Sequence, residues 1–177
     1  RPGRDIPSEH AMDYIAGFTL LNDWSARDLQ AEEIKVGLGP SKGKDFATSL
    51  GPWLVTPDEL AARRSGKGYD LVLEWHRNGR HLGAGNWNTV AWSFEEMIAH
   101  ASRDAGLSPG DLLGSGTVGG GCILELGEEN AGGWLEPGEV IALRGGPLGT
   151  LENRIAGAGA ELSPAPGASV PDNSLYI

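Results

Sequence analysis

The sequence has little cysteine, an excess of acidic over basic residues, and no long apolar run. Cys122 is the only cysteine among 177 residues, so the chain cannot form an internal disulfide. There is no signal peptide and no apolar stretch of about 18 residues. The 14 basic and 24 acidic residues give a net charge of −10, which disfavours nucleic acid and anionic membranes as partners. We therefore expect a cytoplasmic protein that acts on small molecules.

Several catalytic and cofactor-binding patterns are also missing. The histidines lack metal-ligand spacing, and the G-x-S-x-G elbow of serine hydrolases does not occur. The segment "GSGTVG" (114–119) matches a dinucleotide-binding fingerprint, but "GGCILELG" after it is too short and too strand-like to supply the required helix. In "GPSKGKD" (39–45) the glycine spacing is wrong for a phosphate loop, and Asp45 replaces the Ser or Thr that binds Mg²⁺. Zinc, serine hydrolase, dinucleotide and nucleotide functions are disfavoured.

The pattern of apolar and turn residues predicts an α+β, β-rich fold with a few short helices. Apolar runs predict strands at "GFTLLND" and "PWLVT", and Asn78-Gly79 supplies the turn of a hairpin. Ser93 and Glu96 form a capping-box pattern at the start of a helix, and "SARDLQAEEI" has helical character. The segments "LSPGDLL", "LEPGEVI" and "CILEL" each predict a short strand.

The chain length and composition predict one main domain. With 40% hydrophobic residues, 177 residues can build one sizeable core. From residue 156 the sequence "AGAGAELSPAPGASVP" is rich in Pro, Ala and Gly, which is typical of a surface tail. We therefore assign a domain to 1–155 and a tail to 156–177.

Three motifs resemble the fumarylacetoacetate hydrolase family. They are "GFTLLNDWSARDLQ" (17–30), "KGKDFATSLGPWLVT" (42–56) and "GSGTVGGGCILEL" (114–126), and they occur in the order found in the family. The resemblance implies a mixed, barrel-like β-roll as the catalytic domain, a divalent metal ion and a homodimer. It also places two further metal ligands, a Glu-x-Glu pair, and a water-activating histidine before a turn like "RPGRD", and these residues are absent from this sequence.

The resemblance makes Asp23 a metal ligand and places Thr48 near the metal. Hard cations such as Mg²⁺, Mn²⁺ or Ca²⁺ prefer carboxylate oxygen, so Asp23 suits this role chemically. Taken without the family, Asp23 would instead be interpreted as a cap of the following turn. Mg²⁺ is the cofactor that we expect.

The resemblance places Arg27 and Gln30 in the substrate pocket and makes Lys44 a catalytic cation. Arg27 and Gln30 are three residues apart, so a helix would put them on one face; the alternative for Arg27 is a surface ion pair. Lys44 would stabilise the enolate oxygen that develops when a carbon–carbon bond breaks. The alternative for Lys44 is a solvated loop lysine.

Two residues of the third motif complete the predicted site. Thr117 matches a position that binds a substrate carboxylate, and the surrounding glycines allow backbone N–H groups to approach an anion. Glu125 matches a catalytic carboxylate that orients the histidine activating water in the family. On a predicted strand, Glu125 could instead face solvent.

The predicted function is hydrolysis of a carbon–carbon bond in a small β-diketo acid of the fumarylacetoacetate or acylpyruvate type. Decarboxylation, isomerisation or hydration of a dicarboxylic keto acid is the alternative, because an enolate is common to these reactions and a fold does not fix a substrate. A non-catalytic β-rich binding module is the second alternative, favoured if the whole polypeptide lacks the Glu-x-Glu pair and the histidine. The simpler interpretation is that the domain at 1–155 lacks its N-terminal part.

Overall fold

Ten short strands and four short helices make up most of the regular structure of the described residues. The computed structural model describes residues 1–37 and 39–157. The strands are β1 (Gly3–Arg4), β2 (Phe18–Asp23), β3 (Thr48–Val55), β4 (Arg64–Ser65), β5 (Gly68–Tyr69), β6 (Val72–Arg77), β7 (Arg80–Asn86), β8 (Gly106–Leu107), β9 (Val140–Arg144) and β10 (Thr150–Arg154). The helices are α1 (Arg27–Glu33), α2 (Phe94–Ala101), α3 (Ile123–Leu126) and α4 (Glu128–Ala131). Short 3-10 helices cover Ser8–Tyr14, Ile34–Val36, Ala61–Arg63, Trp87–Thr89 and Gly146–Leu148.

The largest sheet has four antiparallel strands in the order β10-β9-β6-β7. The β6–β7 hairpin turns at Asn78 and Gly79, with φ values of 50° and 80°, as the Asn-Gly pair predicts. The strands β2 and β3 form a separate antiparallel pair. The β1–β8 and β4–β5 pairs are two residues long on each side.

The main core lies between the β2–β3 pair and the four-stranded sheet. Its buried members are all apolar or aromatic: Phe18, Leu20, Leu60, Tyr69, Leu71, Trp87, Leu148 and Leu151. The Phe18 ring meets the edges of Tyr69 and Trp87 at centroid distances of 5.5 and 5.0 Å. Such edge-to-face contacts stabilise beyond the area they bury. The beginning of β2 is therefore held in the core, while its other end, at Asp23, is exposed.

The helix α2 begins with the predicted capping box. The Ser93 hydroxyl accepts from the Glu96 backbone N–H at 3.2 Å, and the Glu96 carboxylate accepts from the Ser93 N–H at 2.7 Å. Ile98 is buried with Ala11 of the 3-10 helix Ser8–Tyr14. This contact attaches α2 to the N-terminal part of the described chain.

Two predicted strands are wrong. The segment 122–126 is not a strand, because Ile123–Leu126 forms the single helical turn α3, with a Leu126 N–H to Cys122 carbonyl bond of 3.1 Å. Four residues are too few for apolar spacing to distinguish a strand from a helix. In "LSPGDLL" the turn forms, with the Asp111 N–H donating to the Ser108 carbonyl, but no strand follows. The matching turn before β9 does lead into a strand, because β9 lies between β6 and β10 and pairs with both.

The fold class is confirmed as α+β and rich in short strands. The tail predicted at 156–177 lies outside the described residues from residue 158 onward. Among the described helices, none has the length and apolar character needed to cross a membrane.

Candidate functional site

The first two motifs bring five predicted site residues to the exposed end of the β2–β3 pair. We call Asp23, Arg27, Gln30, Lys44 and Thr48 the strand-end group. Asp23 ends β2, Thr48 begins β3, and the two are direct partners in the antiparallel register. Directly opposed residues have Cβ atoms about 4.5–5.5 Å apart on the same face of a sheet. The Asp23 carboxylate and the Thr48 hydroxyl are therefore neighbours on one face.

Lys44 lies in the loop before β3 and forms an ion pair with Asp23. The Nζ atom of Lys44 lies 2.6 Å from Oδ2 of Asp23, and the side chains are 28% and 51% exposed. A partly exposed pair of this kind contributes little to folding stability. Its main effect is to hold a cation beside a carboxylate at the end of β2.

The chain just after Asp23 is fixed by a hydrogen bond between the two strand ends. The indole Nε1 of Trp24 donates to Oγ of Ser49 at 2.8 Å. This bond ties the residue after Asp23 to the residue after Thr48. The spacing of the two strand ends, and so of their polar side chains, is thereby set.

Arg27 and Gln30 lie in the first turn of α1 and contact one another. Nη1 of Arg27 donates to Oε1 of Gln30 at 2.6 Å. The spacing correctly indicated a shared face. Arg27 takes part in no ion pair within the described ranges. The structure therefore shows a hydrogen bond to Gln30 where the alternative expected a surface ion pair. The remaining donors of its guanidinium are available to an anion.

The third motif forms a glycine-rich segment, residues 114–121, that lies on the β6–β7 hairpin. Nε1 of Trp75 in β6 donates to the Gly120 carbonyl at 2.9 Å, and the Gly120 N–H donates to Oε2 of Glu125 at 2.6 Å. The backbone of Gly120 is thus held at both its N–H and its carbonyl group. A Cβ at Gly83 in β7 would lie 2.3 Å from the Gly120 carbonyl oxygen, so this close approach requires glycine there.

Thr117 lies in the same segment with its side chain exposed. The start of the segment approaches β2, since a Cβ at Gly114 would lie 4.0 Å from Cδ1 of Leu21. Within residues 1–37 and 39–157, no hydrogen bond or ion pair joins Thr117 or Glu125 to the strand-end group. Asp23, Lys44 and Thr48 are thus direct neighbours, and Arg27 and Gln30 contact one another on α1, which lies against the loop before Lys44. Thr117 and Glu125 lie in a neighbouring part of the chain.

The oxygen ligands present are the right type for a hard divalent cation but too few. The strand-end group offers the Asp23 carboxylate and the Thr48 hydroxyl, whereas Mg²⁺ or Ca²⁺ takes about six or more oxygens. No cluster of three His, Cys, Asp or Glu side chains suited to a metal occurs in the described part of the chain. These residues fit part of a coordination sphere and do not complete one.

Glu33 has a role at this site that no sequence pattern indicates. Its carboxylate accepts three backbone N–H groups from the loop that precedes Lys44: those of Ser41 at 2.8 Å, Lys42 at 2.5 Å and Gly43 at 3.1 Å. Partial burial acts to raise the pKa of Glu33, but these hydrogen bonds outweigh it and lower the pKa. In the sequence, "AEE" resembles the solvated face of a helix.

The chain matches a known enzyme family along most of its length. The profile described as "Fumarylacetoacetate (FAA) hydrolase C-terminal" matches residues 1–156. The fumarylacetoacetase of Arabidopsis thaliana is 37% identical over 154 residues, which cover 70% of this chain and 36% of that protein. The chain thus spans little more than a third of that relative.

The solved structures that share the fold include two enzymes with different reactions. A fumarylpyruvate hydrolase from Pseudomonas aeruginosa, in complex with Mn²⁺ and pyruvate, superposes with a TM-score of 0.69 at 26% identity, covering 88% of this chain and 60% of that one. A 2-hydroxyhepta-2,4-diene-1,7-dioate isomerase from Mycobacterium marinum gives a TM-score of 0.68 at 27% identity, covering 90% of this chain and 55% of that one. A hydrolase and an isomerase therefore share this scaffold.

Proposed function

Because the chain belongs to the fumarylacetoacetate hydrolase family, we propose that it is a divalent-metal-dependent hydrolase cleaving a carbon–carbon bond in a small β-diketo acid. Acylpyruvates and fumarylacetoacetate are the substrate types. The observation that carries the proposal is the ion pair between Lys44 and Asp23, at 2.6 Å, at the open end of β2 and β3. It places a fixed cation next to a carboxylate that suits a hard metal.

The reaction consumes one water molecule and yields two acids. Water adds to the acyl carbonyl carbon, and the bond from that carbon to the adjacent methylene breaks. The electron pair of the broken bond passes to the keto-acid fragment as an enolate, which takes a proton. The Lys44 ammonium group stabilises the enolate oxygen as its charge develops, which is the kind of preorganised electrostatic effect that lowers a barrier most.

Substrate binding is assigned to Arg27, Gln30 and Thr117, and a separate catalytic role is assigned to Glu125. The Arg27 guanidinium, oriented by Gln30 at 2.6 Å, binds an anionic or carbonyl oxygen of the substrate. Thr117, on the glycine-rich segment, binds a substrate carboxylate with the aid of backbone N–H groups. Glu125 uses Oε2 to hold Gly120, and we assign its other oxygen to orienting the group that activates water.

The metal is proposed as Mg²⁺, with Mn²⁺ or Ca²⁺ as substitutes. Asp23 and Thr48 would supply two of its oxygen ligands, and the remainder would come from substrate, water or further residues. A bound divalent cation polarises carbonyl oxygens and so favours both water attack and enolate formation. The Mn²⁺ and pyruvate in the Pseudomonas aeruginosa hydrolase support this choice of ion and substrate class.

Isomerisation of a dicarboxylic keto acid is the second candidate function. It is favoured by the similarity to the Mycobacterium marinum isomerase, which matches as well as the hydrolase does. An isomerase needs enolate stabilisation by Lys44 but no water attack. The two functions therefore differ in whether water is incorporated.

A cytoplasmic homodimer is also proposed. The apolar residues Leu50, Trp53 and Leu54 on β3 are 42%, 58% and 58% exposed. Exposed apolar residues of this kind are typical of protein–protein contact surfaces, which supports a dimer that covers them. Light scattering coupled to size exclusion would give twice the chain mass for a dimer. The chain mass alone would contradict it.

The function is tested by assaying the purified protein with acylpyruvates, fumarylacetoacetate and oxaloacetate. Each substrate is incubated with Mg²⁺, with Mn²⁺ and with a chelator. We expect cleavage of a β-diketo acid that depends on the metal and returns when the metal is restored. Metal-independent cleavage would contradict the metal site. Absence of turnover on every diketo acid, with oxaloacetate decarboxylated, would contradict the hydrolase.

A further inference from the structure

The loop that presents Lys44 is tied to α1 by one carboxylate. Glu33, the last residue of α1, accepts the N–H groups of the consecutive residues Ser41, Lys42 and Gly43. Oε1 takes one of these bonds and Oε2 takes two. Three successive N–H groups converging on one carboxylate are bonded more strongly than they would be to a neutral acceptor.

The same loop is also tied to the other end of α1. The Ala26 N–H donates to the Gly43 carbonyl at 2.9 Å, and Gly43 is buried. A Cβ at Gly43 would lie 3.0 Å from the Gln30 backbone nitrogen, so the loop backbone rests directly on the helix. Residue 44 follows immediately. The loop is therefore clamped at Ala26 and Glu33, the two ends of the helix that carries Arg27 and Gln30.

Apolar packing does not provide this attachment. The helix α1 has no buried residue, and neither has the 3-10 helix Ile34–Val36 that follows it. None of the three core clusters of the described chain includes a residue between 21 and 54. The position of Lys44 relative to Arg27 and Gln30 therefore depends on hydrogen bonds to the loop backbone.

We propose that Glu33 is a positioning residue that locks the Lys44 loop onto α1, so that Lys44, Arg27 and Gln30 act as one rigid unit. The catalytic consequence rests on the proposed function of Lys44, whereas the lock itself does not. Glu33 acts through the loop backbone and touches no substrate.

The chemistry of the lock requires a carboxylate. An ionised carboxylate is an acceptor only, while a glutamine amide has one acceptor oxygen and an NH₂ group that would face a backbone N–H. Glu33→Gln thus loses one acceptor oxygen and places the amide NH₂ group against a backbone N–H, so that two donors face each other. Glu33→Asp retains both oxygens on a shorter side chain and should restore part of the lock. Glu32→Gln is the matched control, since Glu32 is exposed and its carboxylate accepts no hydrogen bond in the described ranges.

The lock is tested by amide hydrogen exchange measured by NMR on the full chain. In Glu33→Gln we expect the amides of Ser41, Lys42 and Gly43 to exchange at least about tenfold faster, because local opening sets their protection. Glu33→Asp should fall between this variant and the wild type, and Glu32→Gln should match the wild type. Unchanged exchange of these three amides in Glu33→Gln would overturn the lock.

The positioning of Lys44 is tested by a second signal that needs no substrate. The ε-methylene resonance of Lys44, assigned by its loss in Lys44→Met, should shift toward that of a free lysine in Glu33→Gln and return in part in Glu33→Asp. A resonance that does not move while the amides exchange faster would overturn the positioning role. The amide exchange and the Lys44 resonance test the positioning role of Glu33 without any substrate. Absence of turnover on every diketo acid would contradict only the proposed function.

An activity measurement adds the catalytic consequence. For a substrate that the wild type cleaves, Glu33→Gln should lower kcat more than it raises KM, because enolate stabilisation is lost in the transition state while the substrate contacts of Arg27 largely remain. A raised KM with unchanged kcat would contradict positioning of Lys44.

Discussion

Lys44 Nζ lies 2.6 Å from Oδ2 of Asp23, a residue 21 positions earlier in the chain. The contact joins the loop before β3 to the last residue of β2, and the register places Thr48 directly opposite Asp23. Two motifs that are separate in sequence thereby form one polar site. The partly exposed salt bridge adds little stability, which agrees with the proposed roles of both residues in binding and catalysis.

Replacing Lys44 tests its proposed role as the cation that stabilises the enolate. Lys44→Met should lower kcat by about 10²–10³-fold, the usual effect of removing one stabilising donor from a developing oxyanion. The measurement is steady-state cleavage of an acylpyruvate, with circular dichroism to verify folding. Lys42→Met is the control, because Lys42 is exposed and pairs with Asp45 at 2.7 Å. Equal activity of Lys44→Met and Lys42→Met would remove Lys44 from the mechanism.

Replacing Asp23 tests the proposed metal ligand without any substrate. Asp23→Asn should weaken Mn²⁺ binding, measured by isothermal titration calorimetry, by at least about tenfold, because a neutral amide is a poorer ligand for a hard cation. Asp28→Asn is the control, an exposed carboxylate in the first turn of α1. An unchanged affinity in Asp23→Asn would show that the ion binds elsewhere.

The ion pair between Arg77 and Glu139 predicts a pH dependence of stability. Nη2 of Arg77 lies 2.6 Å from Oε2 of Glu139, and this bonding, with the Glu136 N–H, lowers the pKa of Glu139. A lowered pKa means that the carboxylate stabilises the fold above the pKa of an unfolded glutamate, about 4.3, and that this contribution is lost as pH falls through the folded value. Glu139→Gln should therefore have a lower urea midpoint than the wild type at neutral pH.

The same variant defines the result that would contradict this account. The difference in urea midpoint between wild type and Glu139→Gln should narrow as pH falls from about 5 to about 3. A difference that stays constant over that range would show that the carboxylate charge is not responsible. The Arg77 side chain also donates to the Ala131 and Gly133 carbonyls, so Arg77→Ala would disturb more than the ion pair.

The close approach of the glycine-rich segment to β7 predicts a stability effect. Gly83→Ala places a Cβ 2.3 Å from the Gly120 carbonyl oxygen, which also accepts from Trp75. The backbone must shift, and we expect a loss of about 1–3 kcal/mol, typical of overpacking, seen as a lower Tm. Gly106→Ala is the control, since nothing lies within 4 Å of its Cβ position. Equal Tm values for the two variants would contradict this packing.

The elements with strong local signals were predictable from the sequence. Asn78-Gly79 has the positive φ values that a tight hairpin turn needs, and Ser93 with Glu96 makes both bonds of a capping box. These features depend on residues within a few positions of one another. Local backbone chemistry is therefore sufficient to identify them.

Two features of the site could not be predicted from the sequence, because they depend on contacts between residues that are distant along the chain. The Asp23–Thr48 pairing follows from strand register, and the anchoring of the Lys44 loop by Glu33 depends on how that loop folds back on α1. Neither leaves a local pattern. The sequence predicts a strand at Glu125 and the structure has a helical turn, because four residues are too few to distinguish the two.

The hydrolysis of a carbon–carbon bond is tested most directly by following oxygen from water. The protein is incubated with an acylpyruvate and Mn²⁺ in water enriched in ¹⁸O, and the products are analysed by mass spectrometry after a short reaction. We predict pyruvate and a carboxylic acid that carries one ¹⁸O in its new carboxylate, beyond the exchange seen without protein. An unlabelled isomer, or carbon dioxide with the acyl–methylene bond intact, would contradict the proposed hydrolase.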